Sequence, residues 1–307
     1  MIGKIQSNKL NYRINMNYYQ RARDAMFDAV QQLFEDGYQD IFIPGYIGWS
    51  PREGSGIFDP INRIEGLSRH YYRMTKDLTI DIDALRNSLS KKSILLIVNY
   101  FGFRDREVKT AIQVAKEKEC VVIEDNAHGF FTFFCHGSVG ADITFFSLHK
   151  MFPFENGGSL LLLNDQLNVQ PKRRLEEPIE LTPFLYDING IASRRKNNYS
   201  LLMDLMEGNE NYFVPLKSID DITLNVPQTF PIIIRRGNRD KIYEYMNERG
   251  YGVVSLYHTM IEELRNDEHS EACWLSRHIM NLPVHQDCDG TEYAAMINTL
   301  KEACDNT

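Results

Sequence analysis

The chain has 307 residues, a length that suits two domains of ordinary size. Its 42 acidic and 34 basic side chains give a formal net charge of −8, which argues against nucleic acid or an anionic membrane as the main partner, because those partners select clustered cations. With 43% hydrophobic and 25% charged residues the chain is not of the disordered class, and its five cysteines lack the spacing of a zinc site or a disulfide framework.

The first half of the chain predicts helices alternating with short buried strands. Apolar residues at three- and four-residue spacing predict an amphipathic helix over residues 17–36, which Gly37 ends. A strand over residues 41–44 and a glycine-rich loop over residues 45–59 follow. Four continuous apolar runs and one helical run come next: strand 94–98, helix 105–118, and strands 121–123, 143–146 and 160–163.

The second half predicts a further unit. Charge and proline around residues 171–183 predict a connector, so we expect a large domain over residues 15–175 and a smaller C-terminal α/β domain over residues 176–307. The elements predicted there are helices near 194–206, 239–249 and 291–304 and strands at 230–234 and 253–257. Because strand and helix alternate with short links, the fold class is α/β with a mostly parallel central sheet covered on both faces.

Three features bear on location and metal content. No apolar run reaches the ~18 residues of a membrane span, and the N-terminus lacks the apolar stretch of a signal peptide. We therefore expect a cytoplasmic protein with no membrane partner. The eight histidines are scattered without metal-ligand spacing, so no metal site is expected.

Complementary groups follow two predicted strands. Asp125 lies just after the strand at 121–123, and Ser147 and Lys150 follow the strand at 143–146. Ligands of open α/β sheets bind at the carboxyl ends of the strands, so these side chains could face one molecule. Pyridoxal 5′-phosphate (PLP) requires this set, because a lysine forms an imine with it, a carboxylate keeps its pyridine nitrogen protonated, and a hydroxyl holds its phosphate.

These segments resemble the DegT/DnrJ/EryC1/StrS family of PLP-dependent sugar aminotransferases. The segments that carry the resemblance are Glu124-Asp-Asn-Ala-His128, Gly137-Ser-Val-Gly140-Ala-Asp142, Phe146-Ser-Leu-His-Lys150 and Gly157-Gly158-Ser159. The resemblance implies a fold-type I PLP enzyme with a three-layer large domain. It also implies a homodimer that transfers an amino group, with glutamate as the expected donor, to a keto sugar attached to a nucleotide.

The resemblance also implies a role for individual residues. Lys150 would be the catalytic lysine, and Asp125 would pair with the pyridinium. The other cofactor contacts would be His128 near the phenolic oxygen, Ser147, Ala22 and Arg23 at the phosphate, and Trp49 or Tyr46 stacked on the ring, with Trp49 preferred.

The sequence departs from the family in three places and leaves two alternatives open. Ser147 and Lys150 are three residues apart where many members have five, Ala22 stands where glycine is common, and the loop that reaches the partner subunit is not recognisable near residues 182–190. One alternative is a PLP-dependent sugar dehydratase. Lys150 argues against it, because members of that branch have a histidine in place of the lysine, but the adjacent His149 keeps this alternative open. The other is a silent paralogue that binds PLP or a sugar nucleotide without turnover.

Overall fold

A seven-stranded sheet forms the centre of the computed structural model, which describes residues 16–176, 182–254 and 256–307. Its strands are β1 (Asn17–Tyr19), β2 (Asp40–Pro44), β3 (Ser68–Tyr72), β4 (Ile94–Val98), β5 (Val121–Asp125), β6 (Ile143–Ser147) and β7 (Gly158–Leu162). They lie in the order β1-β7-β6-β5-β4-β2-β3. Five neighbouring strands, β6, β5, β4, β2 and β3, run parallel to one another. Strand β7 is antiparallel to both of its neighbours, β6 and β1. The predicted mostly parallel sheet is therefore confirmed.

The inner strands are buried along their whole length, as is typical of parallel strands in α/β proteins. Every residue of β4, β5 and β6 is buried. The helices of this part are α1 (Ala22–Glu35), α2 (Phe58–Asn62), α3 (Ile82–Ser88), α4 (Val108–Glu117) and α5 (Phe130–His136). Crossover helices keep neighbouring strands parallel, so the carboxyl ends of β4, β5 and β6 lie at one edge.

The C-terminal part contains a small antiparallel sheet. Its strands are β8 (Phe213–Pro215), β9 (Thr229–Ile234) and β10 (Ile279–Pro283), in the order β10-β9-β8. The helices here are α6 (Ile188–Asp204), α7 (Arg239–Glu248), α8 (Ser270–His278) and α9 (Tyr293–Asn306). The second α/β unit is confirmed, and the exact limits 15–175 and 176–307 stay a prediction. No helix in the described part of the chain is long and apolar enough to span a bilayer.

The helix predicted over residues 17–36 is wrong in its first turn. Residues 17–19 form β1, and α1 begins only at Ala22. The Tyr19 side chain is fully buried, and its hydroxyl donates a hydrogen bond to the Asp28 carboxylate at 2.9 Å. Pairing with β7 therefore outweighs the local helical periodicity, because it satisfies the backbone and buries an aromatic ring.

The strand predicted over residues 253–257 is also wrong. Val254 makes an isolated bridge with Asn281, and Ser255 lies outside the described residues. Gly252 and Tyr257 both have positive φ, at 63° and 60°. Left-handed residues interrupt an extended chain, so Tyr257 lies in a turn that carries its ring inward.

Candidate active site

A cavity of about 810 Å³ opens at the carboxyl edge of the parallel strands. The ends of β5 and β6 form one wall, and the first turn of α1 forms another. Residues 48–57 and residues 256–258 close it from the side, so distant parts of the chain meet there. Ligand sites of α/β sheets lie at this edge, which makes the cavity the candidate active site.

Lys150 projects into this cavity from a short turn after β6. Its side chain lines the cavity with part of its surface accessible, while its Nζ lies 2.9 Å from Nε2 of His128. The cavity walls remove water from around the amine, which lowers the pKa of Lys150, while the nearby carboxylates of Asp125 and Glu53 oppose that change. A lysine with a lowered pKa is a better nucleophile near neutral pH.

Asp125 supplies a buried carboxylate to the same cavity. It is the last residue of β5, and its Oδ1 accepts a hydrogen bond from the Ala127 amide at 2.8 Å. Burial raises the pKa of Asp125 to about 6, although that hydrogen bond and the charge of Lys150 both act to lower it. Such a carboxylate gains most when a cation enters the cavity beside it.

The start of α1 forms one corner of the cavity. Ala22 and Arg23 are in the first turn, where backbone amides have no intrahelical acceptor. Gly158 allows this turn to approach β7, since a Cβ there would lie 2.3 Å from the Ala22 nitrogen. The buried Ser147 completes the corner; its Oγ lies 3.3 Å from Nδ1 of His149. These donors are of the type that binds phosphate.

The two aromatic candidates differ in position. Trp49 lines the cavity and is 39% exposed. Tyr46 is fully buried outside it, where its hydroxyl donates a hydrogen bond to the Tyr257 carbonyl at 3.3 Å. The structure thus brings seven of the eight predicted site residues to one cavity and leaves Tyr46 behind it.

Two contacts that hold His128 had no sequence signal. The Tyr257 ring enters from the C-terminal part and packs against the ring of His128, with centroids 6.0 Å apart. Gly48 makes room for it, because a Cβ there would lie 2.9 Å from the Tyr257 ring. The Phe101 backbone also contacts His128. Neither contact follows from periodicity, since each depends on a left-handed residue far along the chain.

The residues present fit PLP. An amine, a buried carboxylate, a hydroxyl and free helix-start amides face one cavity, which is the donor set that this cofactor requires. Within the described residues, no group of three or more histidine, cysteine or acidic side chains could hold a metal ion.

Comparison with known proteins supports this fold. No protein-family model and no curated protein matches the sequence. Solved structures match nearly the whole chain, among them the Escherichia coli GDP-4-keto-6-deoxy-D-mannose-3-dehydratase with bound hydrated PLP, at a TM-score of 0.71 and 15% identity over 93% of this chain and 87% of that one. A Streptococcus pneumoniae protein described as a sugar aminotransferase, in its PMP form, matches with a TM-score of 0.72 and 15% identity over 95% of this chain and 88% of that one.

A DegT/DnrJ/EryC1/StrS aminotransferase from Brucella abortus is similar to the same extent, with a TM-score of 0.71 and 12% identity over 94% of this chain and 86% of that one. At such identities the likeness establishes the fold. The fold-type I architecture predicted from the sequence is therefore confirmed, and the structural resemblance to sugar aminotransferases of this group is confirmed with it.

Proposed function

We propose that this chain is a PLP-dependent aminotransferase that acts on a keto sugar attached to a nucleotide, with glutamate as the amino donor. One observation carries the proposal: the Lys150 amine and the buried Asp125 carboxylate face one cavity beside the free amides of the α1 start. The structural likeness to sugar aminotransferases points the same way.

When bound, PLP supplies an electron sink for the carbon that loses its proton during amino transfer. The Asp125 carboxylate holds the proton on the ring nitrogen, because an anion in a dry site strongly favours a cationic partner. The amides of Ala22 and Arg23 and the Ser147 hydroxyl bind the phosphate. Lys150 would hold the cofactor through its amine, and as a free amine it would carry the proton that leaves or joins the donor carbon.

The cavity lining carries several cations, alongside the acidic side chains of Glu53, Asp125 and Glu155. Arg21, Arg23 and Arg52 all line it, and its volume of about 810 Å³ leaves room for a second molecule. These cations support a substrate that carries phosphate groups, as a nucleotide-linked sugar does. Trp49, exposed on the same wall, offers a surface for a ring to stack on.

The position of Lys150 favours amino transfer over dehydration. Both Lys150 and His149 line the cavity, but the Lys150 amine lies beside His128, whereas Nδ1 of His149 is directed at Ser147 and at the Gly157 carbonyl, 3.4 Å away. A dehydratase of this fold would instead need a histidine as the mobile base. The homodimer remains part of the proposal, and light scattering of the purified protein measures it.

The test is a half-reaction followed by product analysis. Protein mixed with PLP should show the visible absorption band of the lysine-bound cofactor, and Lys150→Ala should lack it. Glutamate should then abolish the band in the wild type, and a keto-sugar nucleotide should restore it with formation of an amino sugar. A deoxygenated product would identify a dehydratase. A band that persists with every amino donor would identify a silent binder.

A further inference from the structure

The His128 ring lies between two nitrogen atoms of the protein. Its Nδ1 is 3.4 Å from the Phe101 backbone nitrogen, which donates a hydrogen bond to it. Its Nε2 is 2.9 Å from Nζ of Lys150. The ring is buried, stacks with the Phe101 ring at 6.4 Å and meets the Tyr257 ring edge to face. Both ring nitrogens are therefore engaged in a fixed geometry.

The Phe101 amide is held in place by an uncommon backbone turn. Phe101 has φ 58° and ψ 19°, and Gly102 follows with φ 88°. A Cβ on Gly102 would lie 2.5 Å from the Val226 carbonyl oxygen and 3.2 Å from that of His128, so the turn is packed closely against its neighbours. A left-handed phenylalanine costs conformational energy, and such strain persists where the surrounding structure holds the residue.

This contact selects one tautomer of His128. A backbone N–H only donates, so Nδ1 must be the unprotonated acceptor. The proton of the neutral ring is then on Nε2, the atom that faces Lys150. Burial lowers the pKa of His128 well below its usual value. His128 therefore stays neutral with a donor directed at the lysine.

An Nε2–H donor next to Lys150 requires an acceptor, and only the neutral amine has a free lone pair. We infer that His128 is a positioning residue that, through the tautomer fixed by the Phe101 amide, holds Lys150 as a free amine pointing into the cavity. If Lys150 were an ammonium group, its N–H would face the Nε2–H of His128 at 2.9 Å, and two donors would meet. Moving the ring proton to Nδ1 would relieve that clash but would set the proton against the Phe101 amide instead.

The other charged groups around Lys150 do not reverse this assignment. Asp125 from β5 and Glu53 from the 48–57 segment favour the ammonium form, whereas Arg23 from α1 disfavours it. Tyr257, from the C-terminal part, stays neutral because burial raises its pKa. Dehydration of the amine by the cavity walls is the largest effect and favours the neutral form.

The inference deepens the proposed function and takes its catalytic meaning from it. A lysine kept neutral attacks an aldehyde without first losing a proton, and the same Nε2–H then remains available to an acceptor oxygen on the bound molecule. The tautomer itself is a property of the cofactor-free chain, so the two claims can fail separately.

The first test reads the tautomer directly. Long-range ¹H–¹⁵N spectra of the cofactor-free protein, with histidine nitrogens labelled, distinguish Nε2–H, Nδ1–H and imidazolium forms, and the signals that vanish in His128→Gln belong to His128. We expect the Nε2–H tautomer across neutral pH. The Nδ1–H tautomer, or an imidazolium, would overturn the inference whatever the protein does with PLP.

The second test measures the amine. Competitive acetylation of the cofactor-free protein across pH, with Lys150 followed by peptide mass spectrometry, gives its fraction of free amine. His128→Asn shortens the side chain, so that its amide no longer reaches the Lys150 amine, and should lower Lys150 labelling near neutral pH about tenfold, the worth of one hydrogen bond. His136→Asn, a matched loss of histidine outside the cavity, should leave the profile unchanged. An unchanged profile in a folded His128→Asn protein would overturn the inference.

Discussion

Replacing Asp125 by asparagine should stabilise the cofactor-free protein at neutral pH while it weakens PLP binding. The side chain is 5% exposed, and burial raises its pKa from 3.8 to about 6. Asparagine has the same shape as aspartate and keeps an oxygen that can accept a hydrogen bond from the Ala127 amide. In the wild type this amide lies 2.8 Å from Oδ1 of Asp125. The substitution therefore removes the cost of a buried charge and leaves the packing intact.

The size of the effect follows from the pKa. Folding must place an ionised carboxylate in a dry site, and each pH unit by which the pKa rises corresponds to about 1.4 kcal/mol, so the cost above pH 6 is about 3 kcal/mol. Because the folded pKa is the higher one, this cost is absent below pH 3.8, grows between 3.8 and about 6, and is constant above that. Asp125→Asn should recover most of it, about 2–3 kcal/mol, at neutral pH.

Urea unfolding of the cofactor-free wild type and Asp125→Asn, at neutral pH and below pH 3.8, measures this difference. Asp142→Asn is the matched control. That carboxylate accepts hydrogen bonds from the Val122 amide and the Asn164 side chain, both at 2.8 Å, so its loss should not stabilise the fold. An Asp125→Asn protein that is equally or less stable than wild type at neutral pH would refute the claim that Asp125 is a dry, costly carboxylate.

Three further predictions concern cofactor binding. The affinity of the wild type for PLP should fall about tenfold per pH unit below about 6, as Asp125 gains a proton, and the titration in Asp125→Asn should lack that step. Gly158→Ala should reduce affinity at least tenfold, because its Cβ would collide with the Ala22 nitrogen and displace the start of α1. An affinity equal to that of the wild type would contradict the role of the close approach. Trp49→Ala should weaken PLP or substrate binding with little change in the free energy of unfolding. Tyr46→Ala should instead lower the free energy of unfolding by about 3–5 kcal/mol, because it removes a buried aromatic ring. The reverse pattern would show that Tyr46, and not Trp49, faces the cofactor ring.

The sequence was sufficient for features that local chemistry dictates. The apolar runs of β4 and β5 predict buried parallel strands, and groups at the ends of such strands meet at one edge, which placed Asp125 near Lys150 correctly in one cavity. β3 had no such signal, because it is an edge strand whose first three residues are exposed. Its sequence, Ser-Arg-His-Tyr-Tyr, therefore contains no apolar run.

Features that depend on distant contacts could not be predicted. β1 forms because β7 offers a pairing edge far along the chain, and Tyr257 reaches His128 only because its backbone is left-handed. Whether Tyr46 or Trp49 faces the cavity depends on the bend after β2, which composition does not determine. In each case tertiary packing outweighs a local preference.

The proposed function requires Lys150 to be the residue of this chain that binds PLP. Borohydride reduction of the purified protein after incubation with PLP, followed by peptide mass spectrometry, tests it most directly, since reduction makes the lysine link permanent. We predict one modified site, Lys150, together with loss of the visible band and no stoichiometric label in Lys150→Ala. Label spread over surface lysines, or a specific label on any other lysine, would contradict the account.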